Sequence, residues 1–295
     1  MLGSIARAYD GQDDPTPDVD PLEVRDVAAM VAPASLRERV TRGVAALDYV
    51  ARGVSAPSRL AIDGGDAGPG YGFALLALEP EEVDALTRLR AGGATVNDVL
   101  LGALAVTIRR FNDLRGQDTG AVYLMMPINL RPAAWRHEVV GNFASYVSVR
   151  VGGGDHDTLQ DAVAAAAAST RRIKDSGLAG LIVDLFDAPS LVPTALRQRM
   201  PDLIPLTRDV VVDTAVLSNL GRVQDVPGFG SAGAVRELRF SPPGRMPLGA
   251  SLGAATVGGR LFLTLRYRHA QFGAAAADRF PATLRTVLSQ GTEAA

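Results

Sequence analysis

The chain changes character at Tyr71, and that change limits its possible folds more than any motif does. Ahead of Tyr71 the 295-residue sequence offers helices and hardly any strand, whereas beyond it strand-like and helix-like segments alternate. Residues 1–9 read as an amphipathic helix with Leu2, Ile5 and Tyr9 on one side, followed by a Pro/Asp/Gly connector over 10–21. Two helical segments follow at 22–31 and 35–52, the second opened by a Ser35-x-x-Glu38 capping box, and a Gly/Pro-rich linker spans 56–70. A few helices with hardly any strand to pack on do not look like a complete domain, so residues 1–70 read as a helical remnant of something larger.

From Tyr71 the periodicity predicts strands at 71–78 and 121–127, and helices at 81–90 and 95–112. Residues 142–151 alternate as a half-buried strand should, with Phe143, Ser145, Val147, Val149 and Val151 on one face. A helix at 157–175 is built around the alanine run 164–168 and stops at Gly177, with shorter helices at 179–186 and 193–200. A strand at 209–217 is expected to end in a Ser218-Asn219-Leu220-Gly221 turn. Residues 248–257 and 260–268 flank Gly258-Gly259, the pattern of a two-residue hairpin. A helix at 274–288, disturbed by Pro281, closes the chain. The sum is an α/β lobe with a mixed sheet over 71–295, behind the helical remnant.

Composition removes several kinds of function. Without cysteine there are no disulfides, thiolate metal sites or cysteine nucleophiles. The formal charge is −2, and the basic residues, all arginine except Lys174, are scattered, so no surface is marked for nucleic acid. Residues 99–108 are strongly apolar but far shorter than the roughly 20 residues of a membrane span. The first residues lack the apolar region of a signal peptide, so the expected location is the cytoplasm. His137, His156 and His269 share no metal-ligand spacing, and no metal is expected.

Two motifs match familiar patterns in the wrong setting. Gly249-Ala250-Ser251-Leu252-Gly253 has the form of a nucleophile elbow, but it lies in the first arm of the hairpin, where no helix follows. Gly228-Phe229-Gly230-Ser231-Ala232-Gly233 has the form of a dinucleotide loop, but Val226-Pro227 precedes it and a strand-like stretch, 235–240, follows it. The remaining polar groups gather at element ends. Thr95 and Asp98 form a capping box that leaves Asn97 unexplained. Asn129 and Arg131 follow one strand, Asn142 precedes another, and Ser218 and Asn219 follow a third; such positions serve turns and ligands alike.

Taken together, Thr95-Val96-Asn97-Asp98-Val99-Leu100-Leu101, Met126-Pro127-Ile128-Asn129-Leu130-Arg131, Val140-Gly141-Asn142-Phe143 and Leu217-Ser218-Asn219-Leu220-Gly221 resemble the acyltransferase superfamily with the chloramphenicol acetyltransferase fold. That superfamily includes the condensation domains of nonribosomal peptide synthetases, polyketide-associated acyltransferases and wax ester synthases. Asn97-Asp98 and Ser218-Asn219 look like the Asn-Asp and Ser-Asn motifs of the wax ester synthase branch, although Leu220-Gly221-Arg222-Val223 replaces the Val-Pro-Gly-Pro that often follows there. In flavour the chain is most similar to stand-alone bacterial condensation proteins.

The resemblance implies two similar lobes with a tunnel between them, residues 71–295 forming the second lobe and residues 1–70 the tail of the first. It implies transfer of an acyl group from a coenzyme A or carrier-protein thioester to a small hydroxyl or amine acceptor, with no bound cofactor. Asn97, Asp98, Asn129, Arg131, Asn142, Ser218 and Asn219 would then contribute to substrate binding. The family's general base is the second His of His-His-x-x-x-Asp-Gly, and this sequence contains no His-His pair. No catalytic residue is therefore assigned within it, and the resemblance implies a truncated or inactive form. The alternative is a non-catalytic lobe that binds a carrier protein or a separate N-terminal lobe.

Overall fold

The computed structural model describes residues 2–13, 35–38, 40–44, 57–64, 69–131, 143–152, 158–176, 213–223, 228–243 and 249–293. Strands β1 (Tyr71–Leu78), β2 (Val122–Asn129), β3 (Ala144–Val151), β4 (Ala215–Arg222), β5 (Ala250–Val257) and β6 (Arg260–Arg268) form a single sheet in the order β1-β6-β5-β4-β2-β3. The three central strands β5, β4 and β2 are parallel, and each flank is closed by antiparallel pairing. Packed with them or bounded within the described residues are helices α1 (Leu2–Tyr9), α2 (Pro80–Arg88), α3 (Val96–Asp113), α4 (Leu159–Asp175) and α5 (Ala274–Glu293). This is the α/β mixed-sheet architecture expected from the alternation after Tyr71.

The core lies between one face of the sheet and α3, α4 and α5. Leu124, Val147, Val149, Leu217, Leu252, Ala254, Leu263 and Leu265 face the helices. Helix α3 is buried on all sides from Asp98 to Ile108, which explains why its sequence is apolar without a helical stripe. Gly102 is where α3 crosses α4. A Cβ there would sit 2.8 Å from the backbone nitrogen of Val163, so the alanine-rich face of α4 meets a residue with no side chain. At this crossing, formed by Gly102, Ala162 and Val163, the two helices pack by backbone proximity.

The hairpin forms as expected, with Gly258 at φ 57° and Gly259 at φ 82°, the left-handed pair of a type I′ turn. Its Arg260 hydrogen-bonds Glu79 at the start of α2 at 2.8 Å, and with Glu237 nearby its pKa is raised. Pro281 lies inside α5, which continues from Ala274 to Glu293.

Three expectations are corrected. Ser218, Asn219 and Gly221 do not form a turn after β4 but lie inside it. A register shift between Asn219 and Arg222 absorbs Gly221 at φ 71°, and a bulge uses the same residue types as a turn. Residues 235–240 form no strand; with 241–243 they run as a strap over the face of the sheet opposite the helices. There the carbonyl of Pro242 accepts a hydrogen bond from Ser251 Oγ, and the carbonyl of Phe240 lies 2.1 Å from where a Cβ on Gly253 would be.

The expected linker is also partly core. Leu60 and Ala61 are buried, and the Ala61 N–H donates to Oδ1 of Asn112, whose own Nδ2 donates to Arg59 O and Thr119 Oγ1. In the N-terminal region residues 36–38 and 40–44 are helical, and the Glu38 N–H donates to Ser35 Oγ as a capping box requires. The helices expected at 22–31, 179–186 and 193–200 lie outside the described residues.

Candidate functional site

Parallel strands β2 and β4 end at the same edge of the sheet, and α3 begins there. Outside the carboxyl ends of parallel strands is where open α/β sheets hold ligands. The expected site residues are distributed around this edge in an unequal way.

Thr95 caps α3, its Oγ1 accepting the Asp98 N–H at 3.2 Å. The Asp98 carboxylate is fully occupied. Oδ2 accepts from the Thr95 N–H and hydroxyl, each at 2.7 Å, and Oδ1 accepts from Thr170 Oγ1 of α4, also at 2.7 Å. At 3% exposure Asp98 is a buried tie between two helices with no oxygen turned toward the strand ends. Asn97 differs from its neighbour. It is half-buried and donates from Nδ2 to Sδ of Met126 on β2, which fixes its amide over the strand end.

Asn129 is exposed at the last position of β2, and its Oδ1 accepts the Arg131 N–H at 3.0 Å. The Arg131 guanidinium lies 4.4 Å from the ring centre of Phe143, a cation–π placement that keeps its charge near the strand ends. Asn219 Oδ1 accepts the Gly221 N–H at 2.8 Å and so shapes the bulge. Ser218 and Asn219 are successive strand residues and point to opposite faces, Asn219 toward the helices and Ser218 toward the strap. Alternation places Asn129 on the strap side as well.

The edge thus brings together Asn97 and Asn219 on the helix side and Ser218 and Asn129 on the strap side, with Arg131 just beyond the end of β2; Asp98 stays behind in the helix junction. Asn142 lies outside the described residues, as do His137 and His156. His269 follows β6 at the opposite end of the sheet, its N–H on Gly70 O. Amides, a hydroxyl and one arginine can orient a polar substrate, but none of them is a general base near neutral pH. Ser251 of the elbow-like motif is 1% exposed and bonded to Pro242 O, so it is no nucleophile. Residues 230–232 of the glycine-rich loop form a single 3-10 turn closed by a Gly228–Ala234 bridge, and no helix follows it. Among the described residues no group of three His, Asp or Glu side chains is placed to hold a metal ion. Sequence reasoning missed Thr170 and Met126, because neither lies near its partner in the chain.

No family profile matches the chain. It is 37% identical, across 98% of its length and 68% of the relative's, to the Uncharacterized protein Rv2305 of Mycobacterium tuberculosis strain H37Rv. The chain belongs to that protein's family. The Uncharacterized protein MT2362 of strain CDC 1551 is similar to the same degree.

Among solved structures, this member of the family is similar to the epimerization domain from the third module of tyrocidine synthetase B, with TM-score 0.66 at 16% identity. It is also similar to the first condensation domain of the CDA synthetase, with TM-score 0.60 at 15% identity, and to the EpoB cyclization-docking bidomain of Sorangium cellulosum, with TM-score 0.65 at 15% identity. Each match covers 99% of this chain, which spans 63%, 58% and 58% of those three structures. The fold is therefore that of the condensation domains, as the motifs had suggested.

Proposed function

We propose that the chain is the second, C-terminal lobe, with the tail of the first, of a condensation-like acyltransferase of the cytoplasm, acting in lipid or secondary-metabolite biosynthesis. In this reading an acyl group passes from a coenzyme A or carrier-protein thioester to a small hydroxyl or amine acceptor, with no bound cofactor. The observation that carries it is the condensation-domain fold with Asn97, Arg131, Ser218 and Asn219 at the carboxyl ends of its parallel strands. These groups orient substrate. The base that takes the acceptor's proton would come from a His-His-x-x-x-Asp-Gly segment, which the 295 residues do not contain.

The test is release of free thiol from acyl-coenzyme A and acyl-pantetheine donors, with and without hydroxyl and amine acceptors. The chain alone should be slower by about 10²- to 10⁴-fold than a form that includes such a segment. A segment-containing form that releases no thiol from any of these donors sinks the proposal.

A second reading has its own support. Leu36, Val40 and Val44, spaced four apart on one helical face, are 76%, 59% and 61% exposed, and Ile5 and Tyr9 on α1 are 53% and 59% exposed. Apolar stripes of this kind favour a non-catalytic lobe that binds a carrier protein or a separate N-terminal lobe. A chain that remains monomeric and captures neither partner in a sedimentation experiment would count against it.

A further inference from the structure

The face of the sheet away from the helices carries a second set of polar groups, at the opposite end from the strand ends described above. Arg266 and Arg268 are alternate residues of β6 and share that face. The Arg266 guanidinium lies 4.0 Å from the ring centre of Tyr71 on β1, which holds it in place. Its Nε is buried with no hydrogen-bond partner, and neither arginine forms an ion pair among the described residues. One step along the strand, Thr264 is 4% exposed and its Oγ1 also lacks a partner. Two other arginines on this flank of the face are engaged, Arg239 with Glu237 and Arg260 with Glu79 and Glu237, and Arg150 lies on β3 at the far edge of the sheet.

Apolar surface adjoins the two unpaired cations. Phe73, the cross-strand partner of Arg266, and Leu75, the partner of Thr264, are each 57% exposed on edge strand β1. Both line a cavity of about 550 Å³ that opens along the free edge of β1 and is walled by Leu76, Ala277, Pro281 and Ala282. The charged residues in that wall, Asp278 and the Arg285 that pairs with Glu82, belong to α5 on the helix side, away from Arg266 and Arg268. The geometry points to a binding site for an oxyanion on an apolar chain, a carboxylate or a phosphate monoester. The head group would sit on Arg266 and Arg268 and the chain would run past Phe73 and Leu75 into the cavity. A guanidinium fork matches either oxyanion, and an unpartnered hydroxyl beside it supplies a further donor. This site is independent of the acyl-transfer reading, since it shares no residue with the edge formed by β2, β4 and α3.

Calorimetric titration of the whole chain with decanoate, decyl phosphate, decanol and inorganic phosphate tests it. At least one of the two chain-bearing anions should bind tenfold or more tighter than decanol and than inorganic phosphate, and the tighter of the two names the head group. Arg266→Met should erase the preference over decanol, Arg266→Lys should keep part of it, and Leu75→Ser should weaken the chain-bearing anions severalfold. Circular dichroism of each variant should match that of the unaltered chain, and Arg266→Lys carries the test if Arg266→Met does not fold. Decanol binding as tightly as both anions, inorganic phosphate binding as tightly as both decanoate and decyl phosphate, or Arg266→Met binding like the unaltered chain would each overturn the site.

Discussion

Asp98 shows how one side chain can satisfy a local motif and a distant contact together. Its capping role could be read from Thr95-x-x-Asp98, because caps depend on spacing three residues apart. Its bond to Thr170 could not, because the two residues are 72 positions apart and meet only when α4 lies across α3. The same limit explains Ser218 and Asn219. Their residue types announce a departure from regular strand, but a turn and a bulge need the same chemistry, and only the register with β5 separates the two. If Asp98 is a structural tie, Thr170→Val should lower the unfolding free energy by about 1.5–3 kcal/mol, the range for a hydrogen bond to a charged group. Asp98→Ala should cost more, since it removes the cap as well. Urea titration of the two single variants and the double variant measures this, and a double variant no less stable than Asp98→Ala would show that the contacts are coupled.

At the level of elements, most of what the structure describes after Tyr71 was legible because each segment's periodicity agrees with its neighbours. The hairpin about Gly258-Gly259, the alternation of β3 and the capped start of α3 were each readable from a short window. The role of residues 57–64 was not. They look like linker because Gly, Pro and Ser surround them, yet the buried Asn112 holds them through two hydrogen bonds. The α3–α4 crossing gives the sharpest expectation. Gly102→Ala should gain up to about 1 kcal/mol in helix propensity, yet its methyl meets backbone that cannot retreat, an overpacking cost of about 1–3 kcal/mol. Thermal unfolding should show Gly102→Ala destabilised and Gly102→Val more so; a stabilised Gly102→Ala would mean that the helices can separate without loss.

For the molecule as a whole, the apolar stripes near the N-terminus matter more than any single site. A Leu36, Val40 and Val44 face turned to water favours association, and replacing all three with glutamate should shift sedimentation toward monomer without changing the melting temperature of the sheet lobe. A melting temperature that falls along with the association would place those residues in the fold rather than at an interface.

The strand order has a consequence for how the chain is made. Of the described strands the first pairs with the last, Tyr71 opposite Arg268 and Leu78 opposite Leu261, so the flank of the sheet containing β1 closes only after the other described strands have been made. Contacts this distant in sequence are slow to form. On the ribosome, Tyr71-Gly-Phe-Ala-Leu-Leu-Ala-Leu78, an uncharged apolar segment, must wait for β6 to be synthesised, and until then it is an unpaired strand open to aggregation.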